Sequence, residues 1–195
     1  MKILSGVYAR DSGRIEIFGQ EQGNLSPKMA QELGVSIIHQ ELNMCRHLSV
    51  AENMFLGREK TKLGTLSNRE MEEEASKILH ELKIDLSPKK VVGELPVSKQ
   101  QMVEIAKALS IHAKILIMDE PTATLTPKEI RQLFQIIRKL KQRGVTIIYI
   151  SHRLQEIFEI GDRVTVLRNG EKVGTYSLAE VTIPDIVRMM VGRHL

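Results

Sequence analysis

Asp119 and Glu120 stand together after Ile115-Leu116-Ile117-Met118 and directly before Pro121. Four apolar residues without alternation read as a strand buried on both faces of a parallel sheet, and such strands present ligand-binding groups at their carboxyl ends. An aspartate there can hold a magnesium ion through its water shell. The glutamate beside it can orient or deprotonate a water that attacks a terminal phosphate. Ser151-His152 follows a second continuous apolar run, Val145 to Ile150, in the same way. The spacing therefore predicts two strand ends that bring an acid pair and an imidazole to one crevice.

The elements that must position these groups are written as caps, breaks and periodicities. Met1 to Val7 has a helical apolar pattern, and Arg14 to Phe18 alternates like a half-buried strand ending at Gly19. Ser26 and Pro27 start a short helix that Gly34 closes, and Val35 to His39 reads as a strand with Gln40 at its end. Ser49 with Glu52, and Ser67 with Glu70, are spaced as capping boxes. The second opens a helix whose run Met71-Glu72-Glu73-Glu74 reads as a solvated face. Ser87-Pro88 breaks the pattern, and a helix resumes near Ser98 with Met102, Val103, Ala106 and Leu109 on its apolar side. Residues 41–110 are thus expected to form a helical insertion between two core strands, a natural docking surface. Thr126-Pro127-Lys128-Glu129 combines an N-cap, an N1 proline and a capping-box glutamate, and Gly144 ends the helix they start. Arg163 to Leu167, Asn169-Gly170 and Glu171 to Tyr176 read as a hairpin, and Pro184 to Val191 as a last helix.

Composition bounds the class of protein. A chain of 195 residues suits one domain. It has no apolar run of membrane-spanning length and no signal-like start, so a soluble, cytoplasmic chain is expected. Cys45 is the sole cysteine, which excludes an internal disulfide. The net charge of +4 comes from 28 basic and 24 acidic residues mixed along the chain, and there is no tryptophan. A nucleic-acid binder would want a clustered basic stripe and stacking aromatics, so no nucleic-acid partner is expected.

Taken in order, the motifs resemble the nucleotide-binding subunit of an ATP-binding cassette (ABC) transporter along essentially the whole chain. Asp119-Glu120 resembles the Walker B motif. Gln40, within Ile37-Ile38-His39-Gln40-Glu41-Leu42-Asn43, is similar to the Q-loop glutamine, which the resemblance assigns to magnesium, the attacking water and sensing of the membrane partner. Leu95-Pro96-Val97-Ser98-Lys99 holds the place of the LSGGQ signature that binds the γ-phosphate carried by the opposite subunit. Here Pro96 replaces the serine, Val97 and Ser98 replace the glycines and Lys99 the glutamine, leaving Ser98 to offer a hydroxyl. Ala123-Thr124-Leu125-Thr126 holds the place of the D-loop, and His152 resembles the switch histidine that hydrogen-bonds the γ-phosphate.

The resemblance implies an α/β fold: a P-loop NTPase-like ABC ATPase core with a mostly parallel sheet and a helical subdomain at 41–110. It narrows to bacterial monosaccharide importers of the ribose, galactose or xylose type. The segments Gln101-Met102-Val103-Glu104-Ile105-Ala106-Lys107 and Met189-Met190-Val191-Gly192-Arg193 look like the first of their two cassettes. Implied cofactors are ATP and Mg2+, with Asp119 and Gln40 at the metal, Glu120 activating water, and His152 and Ser98 at the γ-phosphate. Implied partners are membrane permease subunits, a second cassette and, indirectly, a sugar-binding protein, at the cytoplasmic face of the bacterial inner membrane. No G-x-x-x-x-G-K-[ST] occurs among the 195 residues. In relatives that phosphate-cradling loop precedes a helix resembling Met1-Lys2-Ile3-Leu4-Ser5-Gly6. The chain is therefore expected to be a single, N-terminally incomplete nucleotide-binding domain over 1–195 that binds ATP weakly or not at all alone. The alternative is a truncated cassette that docks on a permease or partner cassette without hydrolysing ATP.

Overall fold

The computed structural model describes residues 1–39, 44–62, 65–111 and 113–192. They divide into two compact units, Met1–Ile150 and Ser151–Leu195.

The first unit opens with a single closed turn where the sequence predicts a helix. Ser5 N–H donates to the Met1 carbonyl (3.0 Å) and Val7 N–H to that of Lys2 (2.8 Å), and the coil goes no further. Gly6 stops it with a φ of +76°, and a Cβ there would lie 2.3 Å from the Ser26 carbonyl carbon. Strands β1 (Ile15–Ile17) and β2 (Gln20–Gln22) then form an antiparallel hairpin around Phe18 and Gly19, whose φ values of 51° and 77° are those of a tight primed turn. The polar β2, Gln-Glu-Gln, has no apolar alternation that would announce it. Helix α1 (Pro27–Glu32) starts where Ser26 accepts from Met29 N–H, and strand β3 (Val35–Ile38) follows Gly34.

Between β3 and the next core strand lie α2 (Val50–Phe55), the small hairpin β4 (Thr61–Lys62) and β5 (Thr65–Leu66), α3 (Asn68–Glu81) and α4 (Val97–Ser110). Ser49 and Glu52 make the expected reciprocal cap, 3.2 and 2.7 Å. Ser67 and Glu70 do not. The Ser67 amide, which Glu70 would have taken, instead donates to the Lys60 carbonyl (2.8 Å) at the open end of the β4–β5 hairpin, and Ser67 makes no side-chain cap. The acidic face of α3 is paired at the surface, with Glu73 to Arg69, Glu74 to Lys60 and Glu72 to Lys89. In α4 the cap position belongs to Pro96 and every residue from Gln100 to Ala106 is buried, so this helix is enclosed rather than amphipathic.

Strand β6 (Ile115–Asp119), helix α5 (Pro127–Gln142) and strand β7 (Thr146–Ile150) complete the unit. The parallel sheet has the order β3-β6-β7, with β6 in the middle. Leu116, Ile117 and Met118 are fully buried there, each contributing about 1.5–3 kcal/mol by leaving water. Thr126 and Glu129 form the predicted capping box of α5, and Phe134 meets Tyr149 of β7 edge-to-face at 6.5 Å.

The second unit contains α6 (Leu154–Ile160), the antiparallel hairpin β8 (Arg163–Arg168) and β9 (Glu171–Ser177), and α7 (Ile183–Val191). The hairpin turns on Asn169 and Gly170, with φ of 52° and 81°. Val164, Val166 and Ile186 form its core. Among the described residues no helix is long and apolar enough to cross a membrane.

Candidate functional site

Asp119 is the last residue of the buried central strand, paired in register with Ile150 at the end of β7. The chain then turns sharply. Glu120 adopts a left-handed backbone, φ 48°, while its N–H donates to the Ile150 carbonyl (3.0 Å) and its own carbonyl accepts from Ala123 (3.2 Å). Both carboxylate residues are half-buried, and Pro121 and Thr122 behind them are buried. Sheet register and a hydrogen-bonded turn therefore fix the acid pair at the carboxyl edge of a parallel sheet.

The turn after Glu120 is tied to α4. Thr124 Oγ1 donates to Gln101 Oε1 (3.2 Å), and the Gln101 side chain is buried. Ser98 stands in the first turn of α4. The carboxylate of Glu129, in the first turn of α5, accepts from the Thr126 amide (2.9 Å) and hydroxyl (2.7 Å). The Ser98 hydroxyl, then the hydrogen bonds from Thr126 and the nearby charge of Lys99, hold the Glu129 carboxyl below its ordinary value against the opposing effect of burial.

Asp119, Glu120 and Ser98 belong to the first unit and His152 to the second. Within that second unit the residues flanking His152 are locked together. Ser151 Oγ donates to Glu156 Oε2 (3.3 Å) and accepts from Arg153 N–H (3.0 Å), and Arg153 Nη1 reaches Glu156 Oε1 (3.4 Å). Glu156 is buried and His152 is exposed. Gln40 lies outside the described residues. The segment from Cys45 to Ser49 is held by Asn53 of α2, a fully buried side chain. Asn53 accepts from Cys45 N–H (2.9 Å) and donates to the carbonyls of Cys45 (2.9 Å), Leu48 (3.3 Å) and Ser49 (3.0 Å). Asn53 and Glu156 escape motif reading because their partners lie in the loops next to their helices. A polar residue on the inward face of a helix is the only local sign of the first.

Two adjacent half-buried carboxylates at a strand end suit a cation that keeps much of its water and completes its shell with phosphate oxygens. A dedicated protein cage is a different arrangement, and among the described residues no cluster of three His, Cys, Asp or Glu could form one.

A sequence profile described as ABC transporter matches residues 1–123. The chain is 50% identical, over its whole length, to the ribose import ATP-binding protein RbsA of Geobacillus kaustophilus, and covers 40% of that protein. It is 51% identical, again over its whole length, to a putative ribose/galactose/methyl galactoside import ATP-binding protein of Burkholderia cenocepacia, covering 38% of it. The chain thus spans about two fifths of the length of these curated relatives. Among solved structures, the ADP conformation of MJ1267, an ATP-binding cassette of an ABC transporter, superposes with a TM-score of 0.79 at 26% identity, covering 98% of this chain and 82% of that one.

Proposed function

The chain belongs to the ABC transporter family and has its ATPase cassette fold, and from that membership we propose that it is part of the ATP-hydrolysing subunit of a monosaccharide importer. The observation that carries the proposal is the acid pair at the end of β6, in a chain about half identical to named ribose and galactose import ATP-binding proteins. Glu120 activates the attacking water. Asp119, with Gln40, would hold Mg2+, and the bound ion would neutralise charge on the phosphates. His152 hydrogen-bonds the γ-phosphate, and Ser98 faces the phosphate of a nucleotide held by a second cassette. Residues 41–110 dock on a permease at the cytoplasmic face of the membrane, and nucleotide-driven closure of the paired cassettes moves that permease.

The test uses the polypeptide that carries these residues, assembled with its permease and sugar-binding protein in vesicles. Ribose or galactose should stimulate ATP turnover and enter the vesicles only when ATP is present. Nucleotide binding without sugar-stimulated turnover would instead support a cassette that docks without hydrolysing ATP.

A further inference from the structure

We propose that Glu156 is a positioning residue that fastens both neighbours of His152 to one buried carboxylate. All four residues of this turn, Ser151, His152, Arg153 and Glu156, lie in the second unit. Glu156 is the third residue of α6 and only 7% exposed, although it is acidic. A buried carboxylate persists where donors replace its water. Ser151 supplies one such donor through its hydroxyl, 3.3 Å from Oε2, and Arg153 another through Nη1, 3.4 Å from Oε1. These two donors sit immediately before and after His152. Arg153 N–H closes the turn a second time by donating to Ser151 Oγ at 3.0 Å.

A glutamate at the third position of a helix ordinarily reaches back to the amide of the cap residue. Here the cap residue, Arg153, gives that amide to Ser151, and the carboxylate reaches past it to the serine hydroxyl. The cap is relayed: Glu156 orients the Ser151 hydroxyl by accepting its hydrogen bond, and the oriented oxygen accepts the amide at the start of α6. His152, between the two fastened residues, is exposed. Its backbone loses freedom before any ligand arrives, so its imidazole starts from a defined direction. The value of that direction for a phosphate rests on the proposed function; the tie itself does not.

Two measurements keep them apart. Amide hydrogen exchange on the 195-residue chain reads the tie at Arg153. Gly161, whose amide donates to the Ile157 carbonyl (2.9 Å), is the reference at the far end of α6. Glu156→Gln keeps the side-chain shape but removes the charge and one acceptor oxygen, and Ser151→Ala removes the relay. Each should speed exchange at Arg153 by about 5-fold, the double variant should be no faster than Ser151→Ala, and Gly161 should be unchanged. Unchanged exchange at Arg153 in Glu156→Gln, or additive effects of the two substitutions, would overturn the tie. Phosphate release is then compared for the polypeptide that carries this segment. Glu156→Gln should lower kcat by about 10-fold with the KM for ATP within about 2-fold of the parent's, and should cost nothing further in a His152→Ala background. An equal loss in that background would show that Glu156 acts on something other than His152 and would overturn the positioning role. Parental phosphate release in His152→Ala would instead remove the phosphate role proposed for His152, while the tie, read without nucleotide, would stand.

Discussion

Glu120 sits in a backbone region that costs a side-chain-bearing residue about 1–2 kcal/mol, and glycine would fill it more cheaply. Such strain persists where the surroundings dictate it, here through the bonds to Ile150 and Ala123, and it is the kind of cost found where a particular side chain is required. The acid pair was legible in the sequence because an unbroken apolar strand ending in two carboxylates is a local pattern. Asn53, which holds the segment before α2, was not, since its partners lie in a loop. Asn53 gives the firmer stability prediction. Its side chain is fully buried and satisfies both the amide and the carbonyl of Cys45, so Asn53→Ala strands those groups without replacing them. Chemical denaturation should show a loss of about 3 kcal/mol, and a loss below about 1 kcal/mol would mean that water replaces the side chain there.

At the scale of elements, helix ends supply a controlled comparison. Helix α5 closes with Gly144 N–H on the Lys141 carbonyl (2.9 Å) and Val145 N–H on that of Leu140 (3.0 Å), and Gly144 has a φ of +81°. Helix α3 closes with the same pair of bonds, Lys83 to His80 (3.0 Å) and Ile84 to Leu79 (2.8 Å), yet its left-handed position, φ 56°, is occupied by lysine. Lys83 is exposed, so its replacement disturbs no packing. Lys83→Gly should therefore raise the unfolding free energy by up to about 1 kcal/mol in the same denaturation experiment; a decrease would show that the lysine charge at the helix end outweighs the backbone cost. Capping chemistry also explains which elements could be anticipated. Helices α1, α2 and α5 have side-chain caps and were readable from them, and α3 was read from the Ser67–Glu70 spacing although that cap does not form. Helix α6 has no side-chain cap at Arg153 and only seven residues, too few to establish a period. The opening turn at Met1 to Val7 has helical apolar spacing, but a single turn fixes several torsions for few hydrogen bonds, and Gly6 ends it before propagation can repay them.

At the scale of the molecule, the first unit is organised by a parallel sheet whose central strand is dry and whose carboxyl edge carries the acid pair. The fold class was legible because continuous apolar strands separated by helical segments admit few arrangements other than a parallel sheet covered by helices. The most direct measurement of the central claim is nucleotide binding and phosphate release, side by side, for the polypeptide carrying this segment and its Glu120→Gln variant. If Glu120 activates the attacking water, the variant binds ATP with Mg2+ as tightly as the parent while phosphate release falls by about 10²–10⁴-fold. Phosphate release at the parental rate in Glu120→Gln would contradict it.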